Sequence, residues 1–124
     1  FALVDTSADP DYEKGFSQGL AIARAVNMAR DLVTEPAGTM TPMHLAEHAL
    51  AVANESGGKI TVKFYNRSKL EKMGAGAFLA VAQGSDNEPV LIEMSYEPAG
   101  ADPHTLLALI GKSVTFDSGG YDMK

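Results

Sequence analysis

Leu106-Leu-Ala-Leu-Ile110, running straight into Gly111-Lys-Ser-Val-Thr-Phe-Asp117-Ser-Gly-Gly120, is the stretch on which the fold class turns. Five apolar residues in a row suit one buried strand, and as the most apolar strand candidate it is expected at the centre of a sheet. Working back from it, Glu97 to Pro103 reads as a loop. Val90–Tyr96 and Ala77–Ala82 read as strands, joined by the turn-forming run Gly84-Ser-Asp-Asn-Glu-Pro89. Ser68–Met73 fits a short helix ended by Gly74. Ile60-Thr-Val-Lys-Phe-Tyr65 alternates and is rich in β-branched and aromatic residues, so it is a strand.

Further back the period lengthens. Thr41 caps a helix that opens on Pro42, where a missing N–H is harmless. Leu45, Ala49, Val52 and Ala53 supply its apolar face, and Ser56-Gly57-Gly58 closes it. From Tyr12 to Val33 the residues Phe16, Leu20, Ala23, Val26 (or Asn27), Arg30 and Val33 follow helical spacing, until Pro36 disfavours helix at the residue before it. Residues 1–11 read as a linker from a preceding domain. The order helix, helix, strand, helix, strand, strand, strand predicts an α/β layer with a mixed β-sheet flanked by helices, with no boundary or repeat between residues 12 and 124.

Composition narrows the function. The 124 residues carry a formal charge of −6, with ten basic residues scattered along the chain. That lacks the clustered cationic footprint of a nucleic-acid binder. No run of 18 apolar residues is present, so no membrane span is expected. Absence of cysteine excludes disulfide scaffolds and thiolate metal sites. Phe1 follows no basic n-region, so the start does not read as a signal peptide. Both ends read as cuts in a longer polypeptide.

Lys112 and Asp117 follow the apolar strand, where α/β proteins commonly place catalytic groups. A charge after a buried strand is often only a solvated strand end. Here, however, Asp117 lies five residues past Lys112, Gly119-Gly120 follows, and Lys124 stands twelve residues on. Small residues let the backbone approach a ligand closely. A carboxylate can bridge two divalent cations. A lysine can ligate a metal only as the neutral amine, whereas a second, protonated lysine can polarise a scissile carbonyl.

Other motifs are weaker. A P-loop needs a glycine where Leu106 stands, and Gly74-Ala-Gly76 lacks the third glycine of a dinucleotide fingerprint because position 79 is Leu. No serine elbow occurs, and His104 sits in a proline-containing loop. His44-Leu-Ala-Glu-His48 matches H-x-x-E-H, the inverzincin pattern with two zinc-binding histidines and a glutamate base. The bland reading of His44, Glu47 and His48 is a solvated polar face of the second helix, and no downstream ligand accompanies them.

Ile110-Gly-Lys-Ser-Val-Thr-Phe-Asp-Ser-Gly-Gly-Tyr-Asp-Met-Lys124 resembles the hallmark of the M17 leucyl (cytosol) aminopeptidase family. The similarity extends back through Ala29-Arg-Asp-Leu-Val33, Glu35-Pro-Ala37, Thr41-Pro42 and Met73-Gly-Ala-Gly-Ala-Phe-Leu-Ala-Val-Ala-Gln-Gly-Ser85, and looks closest to cyanobacterial and plant members. The resemblance implies that Lys112 is a metal ligand, that Asp117 bridges two metals and that Lys124 is catalytic. It implies two divalent ions (Mn2+, Zn2+ or Mg2+), peptide substrates with a free N-terminus, a homo-hexamer, and a cytoplasmic protein, or a plastid one in a plant or alga. Residues 12–124 would be the N-terminal part of the catalytic domain.

Three departures stand out. Ser113 replaces a usual glycine, and Gly38 with Glu35 alters the P-A-N region. The family's N-T-D-A-E-G-R segment and its N-terminal domain have no counterpart in these residues. The 124-residue piece alone is therefore expected to be inactive and to need the remainder of the domain. The rival readings are a catalytically dead relative serving as structural or oligomeric partner, and a zinc inverzincin built on His44, Glu47 and His48.

Overall fold

Proline and acidic residues start the first helix. In the computed structural model, which describes residues 10–102 and 104–117, α1 spans Pro10–Thr34. Pro10 needs no N–H partner in a first turn, and Asp11 and Glu13 complement the positive helix end. The helix thus takes in two residues expected in the linker; residues 1–9 of that linker lie outside the described residues. At the other end the Thr34 hydroxyl donates to the carbonyls of Arg30 (3.0 Å) and Asp31 (3.1 Å). The chain divides into two units, residues 1–35 and 36–124. Within the first, Phe16, Leu20, Ile22, Val26 and Val33 of α1 are exposed.

In the second unit, α2 (Pro42–Glu55) starts as its sequence dictates. Thr41 Oγ1 accepts from the His44 amide at 3.2 Å, and Pro42 fills the first helical position. At the end, the Ser56 hydroxyl donates to the Ala53 carbonyl (2.6 Å) and accepts from the Ile60 amide (2.9 Å). One side chain thereby closes the helix and fixes the entry of the next strand. Gly57 and Gly58 between them take positive φ, 64° and 84°, which a side chain resists.

β1 (Ile60–Tyr65) pairs antiparallel with β2 (Leu91–Tyr96), from Ile60 opposite Tyr96 to Tyr65 opposite Leu91. On the outer face, Lys63 Nζ donates to Glu93 Oε1 at 2.8 Å and Tyr65 Oη donates to Glu93 Oε2 at 2.8 Å. Two strands alone are marginal in water. Here α2 packs on them, and the core consists of Met40, Ala46, Ala53 and the fully buried Leu70. The apolar face expected on α2 is therefore shifted: Ala46 and Ala53 are buried, while Leu45, Ala49 and Val52 are half-buried.

α3 (Arg67–Lys72) is capped by Asn66, whose side chain accepts from the Lys69 amide at 3.1 Å. Its end is a Schellman turn: Gly74 N–H reaches the Glu71 carbonyl and Ala75 N–H the Leu70 carbonyl, both at 3.0 Å, with Gly74 at φ 69°. The chain then enters α4 (Gly76–Val81), not the strand expected over Ala77–Ala82. A short apolar run fits either state by periodicity; alanines 77 and 80 favour helix, and no partner strand lies alongside.

A second difference concerns Leu106–Ile110. The segment is irregular and pairs with no strand among the described residues; Leu106 is 92% and Ile110 96% exposed. Apolar composition specifies burial but does not supply a neighbour. The described residues thus form an α/β arrangement of helices with a two-stranded antiparallel sheet. No helix among them is long and apolar enough to cross a membrane.

Candidate active site

Lys112 and Asp117 lie on one irregular, exposed segment that continues from Leu106–Ile110. Its one internal backbone bond runs from the Val114 amide to the Lys112 carbonyl at 3.2 Å. Phe116, beside Asp117, is 73% exposed. Both candidate ligands are therefore open to solvent, on backbone held by few contacts. Lys124 lies outside the described residues. Just upstream, Asp102 orders a turn: it accepts from the His104 amide at 2.9 Å and from the Thr105 hydroxyl at 2.6 Å. Those bonds, that of Thr105 foremost, hold its carboxyl below the usual aspartate range. His104 enters this turn through its backbone.

The donor set tests the fit of a metal pair. One amine and one carboxylate are suitable ligand types, but two divalent cations each want about four to six donors. Lys112 and Asp117 fit part of such a centre, and further oxygen donors are required.

The histidines are closer together than a solvated face requires. His44 and His48, one turn apart on α2, have their Nε2 atoms 3.2 Å from each other, with ring centroids 4.9 Å apart and planes at 70°. Both histidines are half-buried, while Glu47 of the same face is exposed. Glu47 sits behind the pair, its Oε2 3.8 Å from His44 Nδ1. The helical i, i+4 spacing was legible; the facing of the two Nε2 atoms depends on rotamers that spacing does not specify.

The groove along α1 lined by Val26, Ala29, Arg30, Val33 and Thr34 is open and apolar, and none of the candidate ligands lines it. On the sheet, Lys63, Glu93 and Tyr65 form a mutually coupled group. Hydrogen bonds from Lys63 and then Tyr65 pull the Glu93 carboxyl down, and Lys63 and Tyr65 are raised in turn by Glu93. It forms a cross-strand clamp on an antiparallel pair.

Comparison with known proteins agrees with the hallmark residues. The model of the cytosol aminopeptidase family, catalytic domain, matches residues 27–124, a span that includes Lys112, Asp117 and Lys124. The chain is similar to a probable cytosol aminopeptidase of Synechococcus sp. (strain JA-2-3B'a(2-13)), 44% identical over 117 residues, covering 94% of this chain and 22% of that protein. It is 48% identical over 103 residues to a probable cytosol aminopeptidase of Nostoc punctiforme, covering 83% of this chain and 20% of the relative. A probable cytosol aminopeptidase of Koribacter versatilis is 43% identical over 114 residues, 92% of this chain and 22% of its own length. The chain thus spans about a fifth of the length of the curated relatives it matches. No solved structure gives a significant match. On the family match and these relatives, the chain belongs to the cytosol aminopeptidase family.

Proposed function

We propose that these residues are the N-terminal part of the catalytic domain of a metal-dependent aminopeptidase that removes N-terminal residues from peptides. The observation that carries the reading is the spacing Lys112, Asp117, Lys124 within the residues matched by the catalytic-domain model. The α1 residues before Asn27, where that match begins, belong to the same domain in this reading. When bound, a pair of divalent cations (Mn2+, Zn2+ or Mg2+) supplies Lewis acidity and an activated water.

This chain's residues divide the remaining work. Asp117 would hold the cations through its carboxylate, a hard oxygen donor. Lys112 would offer its side-chain amine to one of the cations. Lys124, kept protonated, polarises the scissile carbonyl and stabilises the oxyanion that develops there. Additional carboxylates and strands beside Leu106–Ile110 come from the rest of the domain, so the 124-residue piece by itself has no peptidase activity. The assembly is a homo-hexamer working in the cytoplasm, in keeping with the word cytosol in the relatives' names.

The test separates the two lysines. In the complete protein, Lys112→Arg should lose metal, because a guanidinium does not give up its proton. Lys124→Arg should retain metal while turnover of a leucyl amide falls. Unchanged metal content in both variants would refute this division of roles.

A further inference from the structure

We propose that His44 and His48 form a second metal site on α2, separate from the Lys112–Asp117 segment, which takes a single divalent transition ion of the zinc class through their two Nε2 atoms. The backbone beneath them is fixed. His44 is the third residue of the helix, and its amide is held by Thr41 Oγ1 at 3.2 Å. His48 follows one turn later on the same face of a 14-residue helix with defined caps at both ends.

The spacing of the nitrogens selects the ligand. Nε2 of His44 and Nε2 of His48 are 3.2 Å apart. With metal–nitrogen bonds of about 2.0–2.1 Å, that separation corresponds to an N–metal–N angle of roughly 100°, near the tetrahedral value zinc takes. Two imidazoles facing each other through these atoms need something between their lone pairs, either one N–H or a cation. A zinc-class ion can replace that proton with little rearrangement. Imidazole nitrogens suit Zn2+, Cu2+ and Ni2+, whereas Mg2+ and Ca2+ favour oxygen cages.

Glu47 completes the arrangement from behind. Its Oε2 lies 3.8 Å from His44 Nδ1, the ring nitrogen on the side away from the clamp. That is the order carboxylate, imidazole, metal, in which the acidic group orients the ring. At 3.8 Å it acts through its field and not a direct hydrogen bond. The same placement removes Glu47 from the role H-x-x-E-H would give it. A base must reach water on the metal side of the rings, and Glu47 stands on the other side of His44. The pair therefore makes an exchangeable structural clamp and not a hydrolytic centre. Half-burial of both rings limits the rotamers that binding must freeze.

The clamp shares no residue with the proposed catalytic set, so the two readings fail separately. The test is equilibrium dialysis of the complete protein against Zn2+, comparing wild type, His44→Gln/His48→Gln and Asp117→Ala. Glutamine is a good helix former without a ring nitrogen. The glutamine pair should bind one zinc fewer per chain than wild type, keep its leucyl amide hydrolysis, and lose the zinc-dependent rise in melting temperature of α2. Asp117→Ala should keep the zinc that the glutamine pair loses. Glu47→Gln, which removes an exposed charge 3.8 Å from His44 Nδ1, should weaken that zinc by less than about 10-fold. If circular dichroism shows the glutamine pair unfolded, Cu2+ added to wild-type protein provides the decisive reading: EPR coupling to two imidazole nitrogens, absent from Asn at either single position, supports the clamp. Equal zinc content in wild type and a folded glutamine pair, or a copper spectrum unchanged by His44→Asn and by His48→Asn, overturns it.

Discussion

Residues 60–96 and residues 104–117 both contain apolar runs, yet only the first region folds upon itself. There Ile60–Tyr65 meets Leu91–Tyr96 residue for residue, Ser56 ties the strand to α2, and Leu70 is fully buried. In the second region Leu106, Leu107, Leu109 and Ile110 are 80–96% exposed, and Lys112 and Asp117 ride on the same irregular backbone. The difference is one of partners. β1 has its complement thirty residues downstream, with a salt bridge in register. The more apolar segment has none among the described residues, although its composition asks for burial on both faces. The groups to which we assign chemistry therefore lie on irregular, exposed backbone, in contrast to the paired strands.

The largest effect tests that assignment. In the complete protein, Asp117→Ala should reduce leucyl amide turnover by more than the 10- to 100-fold typical of losing an outer-shell partner, roughly a hundredfold or beyond. Metal content measured on the same sample should fall with it. Lys63→Met, in the self-complementary region, should leave turnover within a factor of about two, as expected of an exposed pair. A fully active, metal-replete Asp117→Ala protein would break the contrast.

Next comes stability. Leu70 is at 0% exposure, so Leu70→Ala should destabilise by about 2–5 kcal/mol in chemical denaturation. Leu107→Ala, at 80% exposure, should change the stability of the 124-residue chain by less than about 0.5 kcal/mol. The comparison sharpens if Leu107→Ala becomes costly only when the rest of the domain is present. Hydrogen exchange offers a parallel check: amides of β1 and β2 should be protected in the 124-residue chain, while those of Leu106–Ile110 should exchange freely there.

These contrasts mark what the sequence makes legible. Thr41-Pro42, Ser56-Gly57-Gly58 and Gly74 announce helix ends because each supplies a specific backbone need, a cap, a missing N–H or a positive φ. Strand 60–65 is legible because alternation and β-branching coincide, and strand 91–96 because an apolar run follows a turn-forming one. Ala77–Ala82 is misread because a short apolar run fits helix or strand; Gly74 marks the end of α3 but not the type of the element that follows. Leu106–Ile110 signals burial but carries no information about its partner. Lys112 and Asp117 stand out through their place after an apolar run and through the family resemblance, and the facing of His44 and His48 appears only through rotamers.

A smaller effect concerns the cap itself. Thr41→Ala removes the acceptor for the His44 amide, which should cost about 1 kcal/mol. Because that amide anchors the first histidine, the variant should also weaken zinc at the clamp. Unaltered stability in urea titration would show that Pro42 alone is enough to start α2.

The smallest effect is the pH dependence of the cross-strand clamp. Glu93 is held below its ordinary 4.5, first by the hydrogen bond from Lys63 and then by that from Tyr65. Its contribution is present above pH 4.5 and disappears as pH falls through the lower folded value. Lys63 is raised above 10.5 and Tyr65 above 10.0, each first through its hydrogen bond to Glu93. Their contributions are present below those ordinary values and disappear as pH rises through the higher folded ones. The clamp therefore stabilises the β1–β2 pair between pH 4.5 and 10.0, with an acid loss set by Glu93. All three groups are solvated, so the effect is small and salt-sensitive. Glu93→Gln should lower the denaturation midpoint slightly at pH 7, and the gap from wild type should close at acid pH. It should also close near 1 M salt, where the Debye length is about 3 Å. A gap that persists in acid and at high salt would mean that Glu93 acts through packing against Tyr65, and that the register of the sheet does not depend on charge.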